Sequence, residues 1–159
     1  MVLVPADSLR VLDINLRSPF WNDEVLHESL RLANVLKLNE TELPILASRL
    51  NRGGSELELL RALREEYRLR CIALTRGSAG ACLLDASGAA SDLPGQTVTV
   101  ADTVGAGDAY TAALVLGLLA DWPIHKINER ASEIAAYVCT QPGATPELPA
   151  ALRAPFAGS

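Results

Sequence analysis

The sequence predicts an α/β layered domain with a largely parallel central sheet flanked by helices, and two observations carry that expectation. Short aliphatic and β-branched runs alternate along the chain with stretches whose apolar residues recur at helical spacing. No internal repeat or interdomain linker interrupts the alternation, so the 159 residues read as one domain around a single core.

In chain order, VLDINL (11–16) reads as a buried strand. Residues 22–34 read as a helix with Val25, Leu26, Leu30 and Ala33 on one face. VLKL (35–38) is a short strand, and ETELPILASRL after it is a helix. Pro44 fits there only within the first turn, where its missing N–H is not needed. NRGGS breaks the chain, and Ser55 with Glu58 forms the capping-box pattern that opens a helix over SELELLRALREEY. CIALT (71–75) and ACLLD (81–85) are strands around the turn RGSAG, and DASG is a hairpin-like turn. TVTVADT (97–103) reads as extended, a glycine-rich turn leads into the helix DAYTAALVLGLLA, and Pro123 opens a last helix that runs to about Cys139. The tail is rich in proline and glycine, and residues 147–159 are expected to be irregular with a frayed end. The chain starts almost directly on a strand with no helix before it, which hints at an absent N-terminal segment.

Composition narrows the function. Nearly half the residues are hydrophobic, about a fifth are charged, and the net charge is −5. That balance is globular and lacks the basic footprint of a nucleic-acid binder, but it is compatible with one phosphate site built from local dipoles. Cys71, Cys82 and Cys139 fit neither a zinc spacing nor a disulfide framework and read as buried free thiols in a reducing compartment. MVLVPADS has no leader character, and the longest apolar run, near AALVLGLLA, is too short for a membrane span. The expectation is a cytoplasmic protein with no membrane or nucleic-acid partner.

DTVGAGDAYTAALVLGLL (102–119) is the segment that carries chemistry. Gly105-Ala106-Gly107 permits positive φ and lets a ligand approach bare backbone just where an apolar helix begins. Successive N–H groups and about half a positive charge at the helix start make an anion site. Asp108 sets a carboxylate beside it. An acid next to an anion hole is what phosphoryl transfer to an alcohol requires: the acid takes the hydroxyl proton and the amides stabilise the transferring charge. GAGD alone equally describes an ordinary helix start, where an aspartate complements the dipole. It also lacks the third glycine of G-x-G-x-x-G and the βαβ unit of a dinucleotide-binding enzyme.

The fuller string DTVGAGDA resembles the C-terminal signature of the PfkB (ribokinase-like) carbohydrate kinases. By that resemblance Asp108 is the catalytic base, and Gly105, Ala106 and Gly107 form the anion hole. Three further elements occur in the family's order. Asp13, Asn15 and Arg17 in DINLR resemble D-x-N-x-R, their alternation expected to place them on one side of an extended segment with Arg17 as a phosphate ligand. Asn39 and Glu42 match the N-x-x-E element that organises Mg²⁺ and its waters. Thr75, Gly77 and Gly80 match the T-x-G-x-x-G nucleotide loop, and SEIAAYVCTQPGATPELP resembles the last helix and closing loop. The resemblance further implies a monovalent cation such as K⁺ near Asp102, with backbone carbonyls at Val104, Val138 and Gly143. Ser132 departs from it, standing where related kinases often carry an asparagine at the adenine site. DINLRSPFW and VCTQPGA look most like bacterial fructokinase-type members.

The resemblance covers the C-terminal, nucleotide-binding half of the family's chain. The half that carries the sugar-binding residues and a small β lid, often used for dimerisation, has no counterpart here. The resulting expectation is a fructokinase-like, ATP- and Mg²⁺-dependent kinase portion that needs that other half to meet its sugar, with homo-oligomerisation left open. The competing expectation is a non-catalytic nucleotide-binding or interaction module.

Overall fold

A computed structural model describes residue 5, residues 8–17 and residues 19–156. Its five strands are β1 (Val11–Asp13), β2 (Val35–Asn39), β3 (Cys71–Thr75), β4 (Ala81–Asp85) and β5 (Ala90–Leu93), ordered β1-β2-β3-β4-β5 in one sheet. β1, β2 and β3 are mutually parallel, whereas β4 and β5 join as antiparallel neighbours. The sheet is therefore parallel where helices connect its strands and antiparallel where only turns do, because a tight turn can only reverse the chain. The helices are α1 (Asp23–Leu32), α2 (Glu42–Arg49), α3 (Glu56–Glu66), α4 (Ala106–Leu119), α5 (Ile124–Cys139) and α6 (Ala150–Arg153).

The period of two along each strand sorts the core into two layers. Leu36, Leu38, Ile72, Leu74 and Leu84 face α1, α2 and α3, packing on Leu26, Leu30, Leu46, Leu60 and Leu63. Val35, Cys71, Ala73, Ala81 and Leu83 face α4 and α5, against Tyr110, Leu114, Ile127, Ala131 and Ile134. The second face carries smaller strand residues. The packed pair of α4 and α5 comes close enough that a Cβ on Gly117 would lie 2.8 Å from Ile127 Cγ1. The expected capping box is present, with Glu58 Oε2 accepting from Ser55 N–H at 2.8 Å, and Asn22 caps α1 by accepting from Val25 N–H at 2.8 Å. Pro44 falls in the first turn of α2, as its chemistry requires.

Two expectations are corrected and one strand is added. The strand read over 11–16 ends at Asp13, since the chain turns at once, Arg17 N–H donating to Asn15 O at 2.9 Å. Ala90–Leu93 form a strand that the polar pair Ser91-Asp92 concealed. The tail is ordered to Phe156: α6 and a 3-10 turn follow Pro149 because Leu148, Leu152 and Phe156 pack on the second core layer, with the Phe156 ring 5.0 Å from that of Trp122. No helix among the described residues is long and apolar enough to cross a membrane.

Candidate active site

The carboxyl ends of β2 and β3 and the amino end of α4 enclose a cavity of about 790 Å³, within the size range of small-ligand sites. One wall is apolar, made by Val98 and Val100 from the 95–100 segment and by Ala135, Ala136 and Cys139 from α5, with Ser132 beside them. The facing wall holds Lys37, Asn39, Glu40, Thr75 and Gly77. Thr103, Ala106 and Gly107 line it where α4 begins.

Gly105 makes that beginning possible. Its φ is +82°, in the left-handed region, and a Cβ there would sit on the Ala144 carbonyl. Ala106 N–H makes a long 3.4 Å bond to Thr103 O. No side chain caps the helix, and the N–H groups of Gly107 and Asp108 have no acceptor among the described residues. Unsatisfied donors opening on a cavity at a helix start have the chemistry to receive an anion. Asp108 is exposed at the rim, outside the cavity lining, and its carboxylate has no hydrogen bond or ion pair among the described residues.

The loop before the helix is tied to the closing loop by Asp102. Its Oδ1 accepts from Val104 N–H at 3.0 Å and its Oδ2 from Gly143 N–H at 3.3 Å. The Val104 amide above all holds this carboxyl below its ordinary value of 3.8. Val138 is buried near the end of α5, its carbonyl accepting from Gln141 N–H at 3.0 Å. Asp102 and Gly143 are thus in contact through a hydrogen bond of the protein's own, and Val104 adjoins them.

On the opposite side, Asn39 Oδ1 accepts from Thr41 N–H, Thr41 Oγ1 and Glu42 N–H at 2.9, 2.7 and 3.0 Å. Its amide nitrogen has no partner among the described residues. Glu42 is buried, and its two oxygens accept from Asn39 N–H at 2.8 Å and Leu16 N–H at 3.4 Å. Burial pushes its carboxyl above 4.5 against the opposing pull of those amides. Glu42 therefore clasps the 13–17 and 39–42 loops together, and it is Glu40 that lines the cavity. Thr75 Oγ1 donates to Leu38 O at 3.4 Å. Gly80 has φ +98°, and a Cβ there would strike Leu93 O, so this glycine lets the 93–95 segment close beside the cavity.

Asn15 and Arg17 are exposed, bonded to each other (Arg17 Nε to Asn15 Oδ1, 3.0 Å), and outside the cavity lining. The expected single-sided alternation of Asp13, Asn15 and Arg17 is not found, because the turn at 15–17 ends the extended backbone. Asp13 instead pairs with Lys37, Nζ to Oδ1 at 3.0 Å, and accepts from Thr111 Oγ1 at 2.6 Å.

Sequence reasoning missed two features. Lys37 is buried at the cavity, and its signal was a lysine inside the aliphatic run VLKL. Asn128 is fully buried, accepting from Tyr110 OH at 2.8 Å and donating to Ala81 O and Ser91 O at 3.0 and 2.9 Å. That network fixes α5, and with it Ser132, against the sheet; nothing in the sequence marked it beyond a polar residue on an apolar helix face.

A helix-covered sheet with a cavity and unpaired helix-start amides at the carboxyl edge of its parallel strands defines a layered α/β protein. Residues 6–151 match the pfkB family carbohydrate kinases, and the chain belongs to that family. The fructokinase of Escherichia coli is 29% identical over 148 residues, 86% of this chain and 47% of that protein. The chain thus spans about half the length of the curated relatives it matches. The 2-dehydro-3-deoxygluconokinase of Thermotoga maritima superposes with TM-score 0.78 at 20% identity, covering 94% of this chain and 50% of that one. An Escherichia coli structure in complex with ATP and Mg²⁺ matches with TM-score 0.67 at 21% identity over 76% of this chain and 37% of that one. These likenesses show the ribokinase-like fold.

Proposed function

We propose that this chain is the nucleotide-binding and catalytic half of a sugar kinase, carrying the terminal phosphoryl group of ATP to a sugar hydroxyl, with fructose the first acceptor to test. The observation that carries the reading is the pairing of unsatisfied Gly107 and Asp108 amides with a free Asp108 carboxylate at one helix start. The purine and ribose lie along the apolar wall near Ser132, and the phosphates run past Asn39, Thr75 and Gly77 toward the amides. Asp108 takes the proton of the acceptor hydroxyl. The oxygen bonds to the terminal phosphorus as its bond to the bridging oxygen breaks, and ADP leaves. The amides at 105–107 and Asp108 stabilise charge on the group in transit.

Mg²⁺ bound with the nucleotide supplies charge neutralisation on the phosphate oxygens. The donor set fits an ion carried mostly by phosphate and water. Among the described residues there is no cluster of three acidic, histidine or cysteine side chains, and Asn39 and Glu40 stand at the cavity with Glu42 behind them. The Asp102 oxygens each accept one backbone amide and keep further lone pairs, so the site remains compatible with a monovalent cation.

The sugar-binding residues come from polypeptide equivalent to the relatives' other half. α4 is apolar all round, yet Leu116 and Leu119 on it are 41% and 62% exposed, and β1 is an edge strand beside it. A chimera joining the first half of the Escherichia coli fructokinase to this chain is expected to phosphorylate fructose. Asp108→Asn in that chimera is expected to lower the rate by about 10²–10⁴-fold with ATP affinity unchanged by calorimetry. ATP binding with no transfer by the unaltered chimera would favour the non-catalytic nucleotide module instead.

A further inference from the structure

We propose that Lys37 is the side-chain cation this chain lays against the terminal phosphate of its nucleotide, the place that resemblance alone gives to Arg17. The proposal rests on the kinase reading above and names a phosphate ligand within it.

Three observations converge. Lys37 has a side chain only 8% exposed, yet it lines the cavity. Strand alternation points it, with Val35, toward α4, and its Nζ lies 3.2 Å from where a Cβ on Gly107 would be. The ammonium therefore adjoins the unsatisfied amides, and the bare Gly107 backbone leaves it room. Finally, Asp13, directly opposite in the β1–β2 register, is its only ion-pair partner among the described residues, at 3.0 Å, with the Glu42 carboxylate acting on it from further off. An ammonium has three donors, so two remain for a ligand.

Burying such a pair in an aliphatic strand is a poor way to gain stability, because desolvation offsets the attraction and an apolar residue would pack as well. Asp13 and Thr111 act as positioning residues: the carboxylate holds Nζ, and the Thr111 hydroxyl, 2.6 Å from Oδ2, holds the carboxylate. Arg17 is exposed, bonded to Asn15, and outside the cavity lining.

The test compares ATP, ADP and AMP, each with Mg²⁺, by calorimetry on the 159-residue chain, on Lys37→Met, and on Lys37→Met/Asp13→Asn, which also removes the orphaned carboxylate. Loss of a charge-assisted contact is expected to weaken ATP by about tenfold or more, ADP less, and AMP not at all. Equal losses for all three nucleotides, or no loss, would overturn the proposal by making Lys37 purely structural. If neither variant folds, the Lys37 side-chain ¹⁵N resonance of the unaltered chain decides. Movement with ATP but not with AMP supports the contact, and equal or no movement refutes it. If the unaltered chain binds ATP no better than AMP, the kinase reading itself fails, which is a different result from a Lys37 variant that retains tight ATP binding.

Discussion

At the start of α2, behind the cavity, the protein answers the oxygens of Asn39 and Glu42 itself. Both Glu42 oxygens take backbone amides, and Asn39 Oδ1 takes three donors. Across the cavity, where α4 begins, the reverse holds: Gly107 and Asp108 N–H have no acceptor and the Asp108 carboxylate has no partner among the described residues. The Asn39–Glu42 cluster is scaffold, its oxygens already satisfied. The start of α4 leaves amides and a carboxylate unpaired beside Gly105, whose φ of +82° a glycine adopts without strain. The contrast separates a residue that matches a motif from a residue that meets a substrate. Glu42 matches N-x-x-E but works behind the cavity, whereas Glu40 and Lys37, outside the motif's fixed positions, line it.

The contrast can be broken at three points. Gly105→Ala should have the largest effect, forcing an L-residue to φ +82° with its Cβ on the Ala144 carbonyl. Strain of this kind costs about 1–3 kcal/mol before the clash is counted. Urea denaturation should show the loss, and ATP affinity should fall with it. Glu42→Ala should cost about 1–3 kcal/mol by leaving the Asn39 and Leu16 amides unpaired, with ATP binding weakened no more than the loop's mobility requires. If this variant lost nucleotide affinity while keeping its denaturation midpoint, the two walls would have to exchange roles.

The smallest effect is the pH response, where the two carboxyls have opposite signs. Glu42 is held above 4.5 by burial, so the folded chain binds that proton more tightly than the unfolded one. Its contribution is full below 4.5 and fades as pH rises through the elevated folded value. Asp102 is held below 3.8 by the Val104 amide, so its contribution is full above 3.8 and fades as pH falls through the depressed folded value. Denaturation across this interval should show Asp102→Asn flattening the acid limb and Glu42→Gln flattening the limb above it. The same slope change from both substitutions would mean the two clasps are equivalent.

Most of the scaffold was legible in the sequence because it rests on local rules. The Ser55–Glu58 capping box, Pro44 in a first turn, and aliphatic runs at strand period each act within a few residues. The glycine-rich start of α4 was legible for the same reason, since GAG and the helix that follows it are contiguous. What escaped depends on contacts across the chain. The 11–16 run ends early because Glu42, far along the chain, takes the Leu16 amide. β5 is a polar edge strand that only its pairing with β4 reveals. The tail folds because Phe156 finds Trp122. Lys37 reads as a flaw in a hydrophobic strand until Asp13 and Gly107 are seen beside it.

The glycine at 105 is closed over by residue 144, and the Asp102 clasp spans 41 residues to Gly143. The start of α4 therefore takes its shape from residues 102–105 and 143–144 together. Loosening the closing loop, by a substitution or a cut near residue 143, should disturb the amides at 107 and 108 although neither residue is altered.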